Sequence, residues 1–199
     1  MNVSRETIRR LKIYQDLLQV WQKKINLVSS STLSHSWERH FEDSLQLLSH
    51  LPDKNFSLID LGSGAGFPGL VLAIACSTKD RVTLVESDLK KCLFLETVSR
   101  ETNTPVILLK ERIESLGEKI KGEVITARGL APLPLLLEYA CPLMKEESTA
   151  LFLKGKEVEK EIEAARKKWE FDLEIFSSMT DSAGRVLKIK SLKRIEPHG

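Results

Sequence analysis

The sequence predicts an α/β fold: a doubly wound, mostly parallel sheet of seven strands, preceded by an N-terminal helical extension. Three observations support this prediction. The first fifty residues carry apolar side chains at helical spacing, and from residue 57 short apolar runs alternate with helical patterns. The last two apolar runs have no helical pattern between them. Alternating strands and helices build a parallel sheet with both faces covered, whereas the final pair is expected to form an antiparallel hairpin at one edge.

The N-terminal extension is expected to span residues 1–52 and to pack on a main domain of residues 53–199. Its first helix carries an apolar stripe at helical spacing on Ile8, Leu11, Tyr14, Leu18 and Trp21. Residues 29–32 are expected to form a polar break, and a second helix is expected from about Trp37 to His50. The turn-rich stretch from Pro52 to Asn55 marks the boundary.

The seven strands of the main domain are short apolar runs, expected at residues 57–61, 81–86, 106–109, 123–127, 149–153, 171–176 and 185–192. Helices are expected between them at about 70–76, 88–102, 132–140 and 157–169. In the last strand Leu187 and Ile189 alternate with Lys188 and Lys190, which is typical of a half-exposed strand.

Composition excludes several classes of protein. Hydrophobic residues make up 42% and charged residues 29%, an ordinary globular balance. The chain has neither an apolar run of membrane-spanning length nor a signal-peptide core. The cysteines, Cys76, Cys92 and Cys141, are scattered, which argues against a disulfide framework and a metal site. We therefore expect a cytoplasmic protein with no membrane partner and no metal. We expect a monomer, although the sequence leaves the oligomeric state open. The net charge of +2 is too small to prove a polyanionic partner, although basic residues gather near both ends.

The glycine-rich segment from Asp60 to Gly69, DLGSGAGFPG, follows the first strand of the main domain and opens its first helix. In a doubly wound sheet, ligands bind beyond the carboxyl ends of the strands. Glycines at this place allow a tight turn and a close approach of the backbone to a ligand. Gly62, Gly64 and Gly66 are therefore candidate cofactor-binding residues.

Two cofactor classes use this geometry, and register and charge distinguish them. Residues 64–69 match the dinucleotide fingerprint, with Glu86 about twenty residues further on. The strand ends at residues 60–61, however, so the turn begins at Gly62 and reads G-x-G-x-G, as in methyltransferases. The carboxylate of Asp60 would repel a pyrophosphate but suits the cationic S-adenosylmethionine. Glu86, at the end of the second strand, is placed to accept hydrogen bonds from ribose hydroxyls. We therefore predict that the loop binds S-adenosylmethionine.

A wider set of motifs carries a family resemblance. In chain order these are WQKKINLV from Trp21, RHFEDSL from Arg39, GSGAGFPG from Gly62, ES from Glu86, KKCLFL from Lys90, RIE from Arg112, TAR from Thr126 and LKG from Leu153. This order resembles the glucose-inhibited division protein B family over residues from about 14 to 190. That resemblance implies a Rossmann-like, class I methyltransferase that places a methyl group on N7 of one guanine in 16S ribosomal RNA. It also implies 16S RNA or the small ribosomal subunit as partner.

The resemblance further implies roles for individual residues. It assigns cofactor contacts to Gly62, Phe67, Ile113 and Glu114, and it places Arg128 in the active site, in contact with the cofactor region and positioning the substrate. The Arg128-Gly129 pair departs from the family's usual Arg-Ala at its second residue, which leaves Arg128 in place. The complete prediction of cofactor-binding residues is Gly62, Gly64, Gly66, Phe67, Glu86, Ile113, Glu114 and Arg128.

The roles of Asn26, His40, Asp43 and Lys154 stay open. His40 is a satisfied helix histidine and Asp43 a capping or ion-pair residue, or the two join Asn26 and Ser44 in a polar cluster over the cofactor mouth. Lys154 contacts RNA, or it forms a structural pair.

The implied reaction needs no general base, because neutral guanine has a free lone pair on N7. Arg128 is therefore expected to position the substrate, and the target base must leave its stack to reach the site. Competing readings are a nicotinamide-dependent oxidoreductase, a non-catalytic RNA-binding assembly factor, and a methyltransferase of small molecules or proteins. The target nucleotide and the preferred state of RNA assembly stay open.

Overall fold

The computed structural model describes residues 3–53, 55–76, 81–117 and 119–196. Its centre is a seven-stranded sheet with strand order β3-β2-β1-β4-β5-β7-β6. The strands are β1 (Leu58–Leu61), β2 (Val82–Val85), β3 (Ile107–Leu109), β4 (Gly122–Arg128), β5 (Met144–Lys154), β6 (Trp169–Ser177) and β7 (Arg185–Arg194). The five strands β1 to β5 run parallel, and β7 lies antiparallel between β5 and β6. The predicted doubly wound sheet with an antiparallel edge hairpin is confirmed.

The helices are α1 (Arg5–Gln22), α2 (Ser30–Leu33), α4 (Gly69–Cys76), α5 (Leu89–Glu101), α6 (Leu133–Ala140) and α7 (Val158–Arg166), with α3 covering residues 37–50. Two helices begin after side chains of types that commonly cap helix N-termini. The Ser4 hydroxyl accepts from the Thr7 N–H before α1, and the Asp88 carboxylate accepts from the Lys90 and Lys91 N–H groups before α5.

The segment α3 is wound in three ways that the apolar spacing does not reveal. It is a π-helix over Trp37–Glu42, an α-helix over Asp43–Leu45 and a 3-10 helix over Gln46–His50. A π-turn widens the helix and changes the direction of its side chains. The predicted polar break before it is instead the short helix α2, in which the Thr32 hydroxyl donates to the Ser29 carbonyl.

The strand β5 is longer than predicted. It begins at Met144 rather than Thr149, and its register against β4 shifts between Gly122 and Val124. The extra residues include the exposed run Lys145, Glu146 and Glu147. Because these residues are charged, they lack the apolar pattern from which a strand is predicted. The helix predicted to reach Trp169 ends at Arg166, because the buried Trp169 begins β6.

Two apolar cores hold the layers together, one on each face of the sheet. The aromatic core on the N-terminal side joins α1 and α3 to the glycine-rich loop. Tyr14 packs on Phe41, Phe67 and Phe94 with ring centroids 5.0, 5.3 and 6.0 Å apart. The division into an extension of residues 1–52 and a domain of residues 53–199 stays a prediction. Across the described ranges, no helix is long and apolar enough to cross a membrane.

Candidate active site

The glycine-rich loop turns sharply beyond the carboxyl end of β1. Gly62 and Gly64 have positive φ angles of 59° and 58°, which side chains rarely adopt. A Cβ atom on Gly62 would also lie 2.5 Å from the Leu130 side chain. The positive φ angle and the close approach of Leu130 therefore both favour glycine at position 62.

Glu86 holds the loop from the end of β2. One carboxylate oxygen accepts from the Gly64 N–H at 2.9 Å, and the other accepts from the Asp88 N–H at 2.8 Å. Since a carboxylate has about four acceptor positions, two remain for a ligand. The predicted cofactor residue is thus also a brace that fixes the loop's backbone.

The loop and Glu86 border a cleft of about 410 Å³, here called the glycine-loop cleft. This volume falls within the range of about 300–1,000 Å³ that small-molecule sites occupy. Among the predicted cofactor residues, those that line it are Gly62, Gly64, Phe67, Glu86, Ile113, Glu114 and Arg128. Glu114 is exposed and accepts a hydrogen bond from the Tyr139 hydroxyl at 2.7 Å. The structure therefore brings the residues after β1, β2, β3 and β4 together at one edge of the sheet.

Gly66 does not line this cleft. It lies behind the loop with a φ of 90°, and a Cβ there would be 3.0 Å from both Leu70 and Leu95. The Tyr14 hydroxyl donates to the neighbouring Ala65 carbonyl. The position of Gly66 thus serves close packing between the loop and α1, and a contact with the cofactor, as predicted from the motif, has no support in its placement.

Asp60 also lies away from the cleft, contrary to the electrostatic role expected from the sequence. Its side chain is fully buried, and one carboxylate oxygen accepts from the Thr126 hydroxyl at 2.6 Å. Burial raises the pKa of Asp60 to about 6. A Cβ on Gly69 would lie 2.5 Å from the Asp60 Cβ, so the two residues fit together beneath the loop.

A second cavity, here called the arginine pocket, lies on the other side of Arg128 and has a volume of about 230 Å³. Its wall comes from α2, α3, the ends of β4 and β5, and the loop between β6 and β7. The ionisable side chains that line it are Arg39, His40, Asp43, Arg128, Lys154, Asp181 and Arg185. Arg128 and Gly129 line both cavities, so the two spaces meet at the end of β4.

Arg128 is held by three acceptors from α3. One terminal nitrogen donates to the Arg39 carbonyl at 2.9 Å and to an Asp43 carboxylate oxygen at 3.2 Å. The other lies 3.0 Å from His40 Nδ1. The guanidinium carbon is also 5.0 Å from the centre of the Phe67 ring. The side chain is 18% exposed, so it is fixed in place while part of it still faces the cavities.

The contact with Arg128 determines the state of His40. Because a guanidinium only donates, His40 Nδ1 must accept, and the proton of the neutral ring lies on Nε2. His40 Nε2 is 2.9 Å from the Thr32 hydroxyl, which accepts that proton's hydrogen bond. Burial, followed by the charges of Arg128 and Arg39, lowers the pKa of His40 to about 3. His40 is therefore a neutral support for Arg128, stacked on Phe67 at 5.1 Å.

Asp43 joins Arg128 to the loop between β6 and β7. While one of its oxygens binds Arg128, the other accepts from Gln46 Nε2 at 2.8 Å and from the Thr180 hydroxyl at 2.7 Å. The amide oxygen of Gln46 accepts from the Met179 N–H at 2.9 Å. The polar cluster foreseen around His40 and Asp43 therefore exists, but it surrounds Arg128 and extends to a loop that the sequence did not implicate.

The remaining two open residues lie outside that cluster. Asn26 is exposed and makes a 3.4 Å hydrogen bond with Gln22. Lys154 is 9% exposed, and its ammonium group lies 2.6 Å from Glu161 and 2.9 Å from the Ala131 carbonyl. Lys154 is thus a structural pair at the floor of the arginine pocket.

Sequence reasoning missed several residues of both cavities. Leu27, Val28, Leu130 and Tyr139 line the glycine-loop cleft, and the loop residues Ser178, Asp181 and Gly184 line the arginine pocket. Leu27 and Val28 end the WQKKINLV motif, so a signal for them was present. The loop residues lie between two strands at the sheet edge, and no motif distinguishes them from a surface turn.

Known proteins resemble the chain over almost its full length. The GidB family model, described as rRNA small subunit methyltransferase G, matches residues 7–189. Ribosomal RNA small subunit methyltransferase G from Gluconobacter oxydans is 46% identical and the match covers 97% of this chain and 98% of the relative. The enzyme of that name from Parvibaculum lavamentivorans is also 46% identical, with 96% and 86% covered. A TehB-like SAM-dependent methyltransferase from Corynebacterium glutamicum shares the fold, with a TM-score of 0.61, 14% identity and coverage of 91% and 99%.

Proposed function

Because the chain belongs to the rRNA small subunit methyltransferase G (GidB) family, we propose that it methylates N7 of one guanine in 16S ribosomal RNA. Family membership confirms the resemblance found in the sequence and makes the chain an enzyme, an S-adenosylmethionine-dependent methyltransferase of ribosomal RNA. It also excludes the nicotinamide-dependent oxidoreductase. The base and its accepting atom are the substance of the proposal.

The observation that carries the proposal is the meeting of two cavities at Arg128 and Gly129. A methyl transfer from a cofactor to a nucleotide needs a place for each and a short path between them. The glycine-loop cleft lies against the strand ends where doubly wound folds bind cofactors. The arginine pocket is the adjoining space, and its charged wall suits a nucleotide.

The glycine-loop cleft fits S-adenosylmethionine in its shape and its free acceptors. Glu86 has acceptor positions left for ribose hydroxyls, and Gly62 and Gly64 expose backbone that a side chain would cover. Ile113 supplies apolar surface for a base, next to Glu114. When bound, S-adenosylmethionine supplies a methyl group on a positively charged sulfur. We assign cofactor contacts to Gly62, Gly64, Glu86, Ile113 and Glu114, with Phe67 and Arg128 at the inner end.

The groups around the arginine pocket favour a reaction that needs no general base. His40 Nδ1 already accepts from Arg128, and the carboxylates of Asp43 and Asp181 are paired with Arg128 and Arg39. Guanine N7 carries a lone pair in the neutral base and attacks without losing a proton. Arg128 positions the base: its Nε–H and one terminal N–H have no partner in the described part of the chain and can donate to the purine.

Replacement of the accepting atom tests the proposal. Small-subunit RNA transcribed with 7-deazaguanosine carries a C–H group in place of N7 and is otherwise unchanged in pairing. We expect methyl transfer to the natural RNA, free or in subunits, and no transfer to the substituted RNA. Equal labelling of both RNAs would contradict N7 as the acceptor and leave the methyltransferase activity standing. Mass spectrometry of the product identifies the methylated nucleotide.

We also propose that the protein acts as a monomer in the cytoplasm, where the small subunit is assembled in a bacterium. One chain contains both cavities, so the proposed site needs no second copy. Light scattering of the purified protein at micromolar concentration checks this, and a dimeric mass would contradict it.

A further inference from the structure

Four cationic side chains face the arginine pocket, and three of them are already paired. The pairs are Arg39 with Asp181 at 2.8 Å, Arg128 with Asp43 at 3.2 Å and Lys154 with Glu161 at 2.6 Å. Within residues 3–53, 55–76, 81–117 and 119–196, the fourth, Arg185, has no carboxylate within salt-bridge distance. The pocket therefore presents one uncompensated positive charge.

Arg185 is held in place without being neutralised. One of its terminal nitrogens donates to the Ser182 carbonyl at 3.0 Å and to the Gly184 carbonyl at 2.7 Å. Its Nε–H and its other NH2 group donate to no atom of the described chain. A guanidinium with one side occupied and another side free suits bidentate binding of a phosphate.

The loop that carries these carbonyls is itself fixed by α3. The Thr180 hydroxyl donates to Asp43, Arg39 pairs with Asp181, and the Gly184 N–H donates to the Asp181 carbonyl at 2.9 Å. Arg185 thus points from a rigid support, which reduces the entropy lost when a ligand binds.

The position of Arg185 relative to Arg128 suits a single nucleotide. Leu153 pairs with Arg128 across β4 and β5, and Lys154 pairs with Arg185 across β5 and β7. Because Leu153 and Lys154 are consecutive, the two arginine side chains leave opposite faces of the sheet and meet at its edge, where both line the arginine pocket. Two strand spacings of about 4.8 Å separate the backbones of the two arginines by roughly 10 Å. A nucleotide whose base lies at Arg128 reaches across this distance with its sugar and backbone phosphate.

We propose that Arg185 binds the RNA phosphate adjacent to the target guanine and so anchors the nucleotide whose base Arg128 positions. This inference rests on the proposed function of the arginine pocket. The competing explanation is a solvated strand charge, as at the exposed Lys190 of the same strand. An anchor and a solvated charge differ in how binding responds to salt and to removal of one phosphate charge.

The test compares wild type with Arg185→Ala, Arg185→Lys and a control, Lys193→Ala, which removes one charge at the opposite end of β7. For Arg185→Ala we expect the KM for small-subunit RNA to rise at least about tenfold, with kcat and the Kd of S-adenosylmethionine within twofold. The slope of log K for RNA binding against log salt concentration should become shallower than that of wild type by about 0.7–0.9. Arg185→Lys should keep the wild-type slope and bind RNA with intermediate affinity, because lysine retains the charge but cannot bind a phosphate with two parallel hydrogen bonds.

A second measurement locates the phosphate and guards against misfolding of the alanine variant. A methylphosphonate at the linkage flanking the target guanine should weaken wild-type binding about as much as Arg185→Ala does, and should cost that variant nothing more. If the methylphosphonate and Arg185→Ala weaken RNA binding additively, Arg185 does not bind that phosphate. The same conclusion follows if Arg185→Ala and Lys193→Ala have equal salt slopes. Either result would overturn the anchor and leave the proposed methyltransferase activity standing. If wild type transfers no methyl group to N7, the proposed function itself fails. The salt dependence of RNA binding does not rely on methyl transfer, so it tests the phosphate anchor separately.

Discussion

The two cavities that meet at Arg128 are built in different ways. The glycine-loop cleft is shaped mainly by backbone that turns at strand ends. Glu86 accepts a hydrogen bond there from Gly64, which is 22 positions away. The arginine pocket is shaped by side chains from distant parts of the chain, such as Arg39 and Asp181, which lie 142 positions apart. The cleft is therefore fixed by local geometry, whereas the pocket depends on a network that any one of several substitutions can loosen.

This difference predicts how each cavity fails. A substitution at a glycine of the cleft strains the turn itself and should abolish binding of S-adenosylmethionine. A substitution in the pocket removes one of several supports and should reduce turnover while leaving cofactor affinity intact. Four changes test this contrast, from the largest expected effect to the smallest.

Replacement of Gly62 by Val should give the largest effect. The new side chain meets Leu130 and takes a strained backbone conformation, so affinity for S-adenosylmethionine should fall by roughly 100-fold or more. Calorimetric titration measures this. Gly117→Val is the matched control, because Gly117 has a φ of 53° with no atom within 4 Å of a Cβ and lies outside both cavities. Equal losses in the two variants would assign the effect to strain rather than to obstruction.

Replacement of Arg128 by Ala should divide the two cavities functionally. We expect kcat to fall by about 100-fold, while the Kd of S-adenosylmethionine changes by less than about threefold. Arg128→Lys keeps the charge but cannot bind Arg39, Asp43 and His40 together, so it should recover only part of the rate. Single-turnover kinetics and titration give both quantities, and equal losses in both would make Arg128 mainly a cofactor-binding residue and not a residue that positions the substrate.

The neutral His40 predicts a pH dependence of stability. The unfolded chain protonates this residue at its ordinary pKa of 6.5, whereas the folded chain does so at about 3. Between these values the unfolded state binds more protons, so the contribution of His40 is present above pH 6.5 and is lost as the pH falls towards 3.

Thermal melts between pH 7.5 and 4.5 measure this contribution. Wild type should lose a few degrees of Tm more than His40→Asn, which keeps an acceptor for Arg128 without a titrating ring. The comparison between variants is needed because Asp60, with its pKa raised to about 6, acts in the opposite direction: its contribution is lost as the pH rises through 6. Parallel curves would contradict a buried neutral His40.

Replacement of Asp181 by Ala should give the smallest effect. The ion pair with Arg39 joins side chains that are 40% and 33% exposed, and such pairs contribute about 0–1 kcal/mol. We expect kcat/KM for RNA to change by no more than about threefold, since Asp43 still holds the loop through Thr180. Initial rates at fixed ionic strength check this, and a tenfold loss would show that the loop depends on this pair.

The same contrast explains how much the sequence could predict. Gly62 and Glu86 were identified because the cleft follows strand ends, and the alternating pattern indicates where the strands end. His40 and Asp43 were noticed only as part of a motif, and their partner Arg128 is 88 and 85 positions away. Ser178 and Thr180 carried no signal, because their partners are 135 and 137 positions away.

Two elements show where pattern reasoning stops. The apolar spacing of residues 37–50 indicated a helix but not the π-turn that carries Arg39 and His40. Asp60 was interpreted from its charge as part of the cleft, whereas full burial makes it a packing residue under the loop. In both cases the deciding information is the three-dimensional neighbourhood, which periodicity and charge do not contain.

The span of the Asp43 contacts has a consequence for synthesis of the chain. A ribosome releases residues in order, so strands β1 to β4 and the glycine-rich loop emerge well before Ser178 and Thr180. During that interval α3 has Arg128 to bind but no β6–β7 loop to hold. A nascent or truncated chain ending before residue 178 would contain every residue that lines the glycine-loop cleft and lack the outer wall of the arginine pocket. The arginine pocket is thus closed only when the polypeptide is complete.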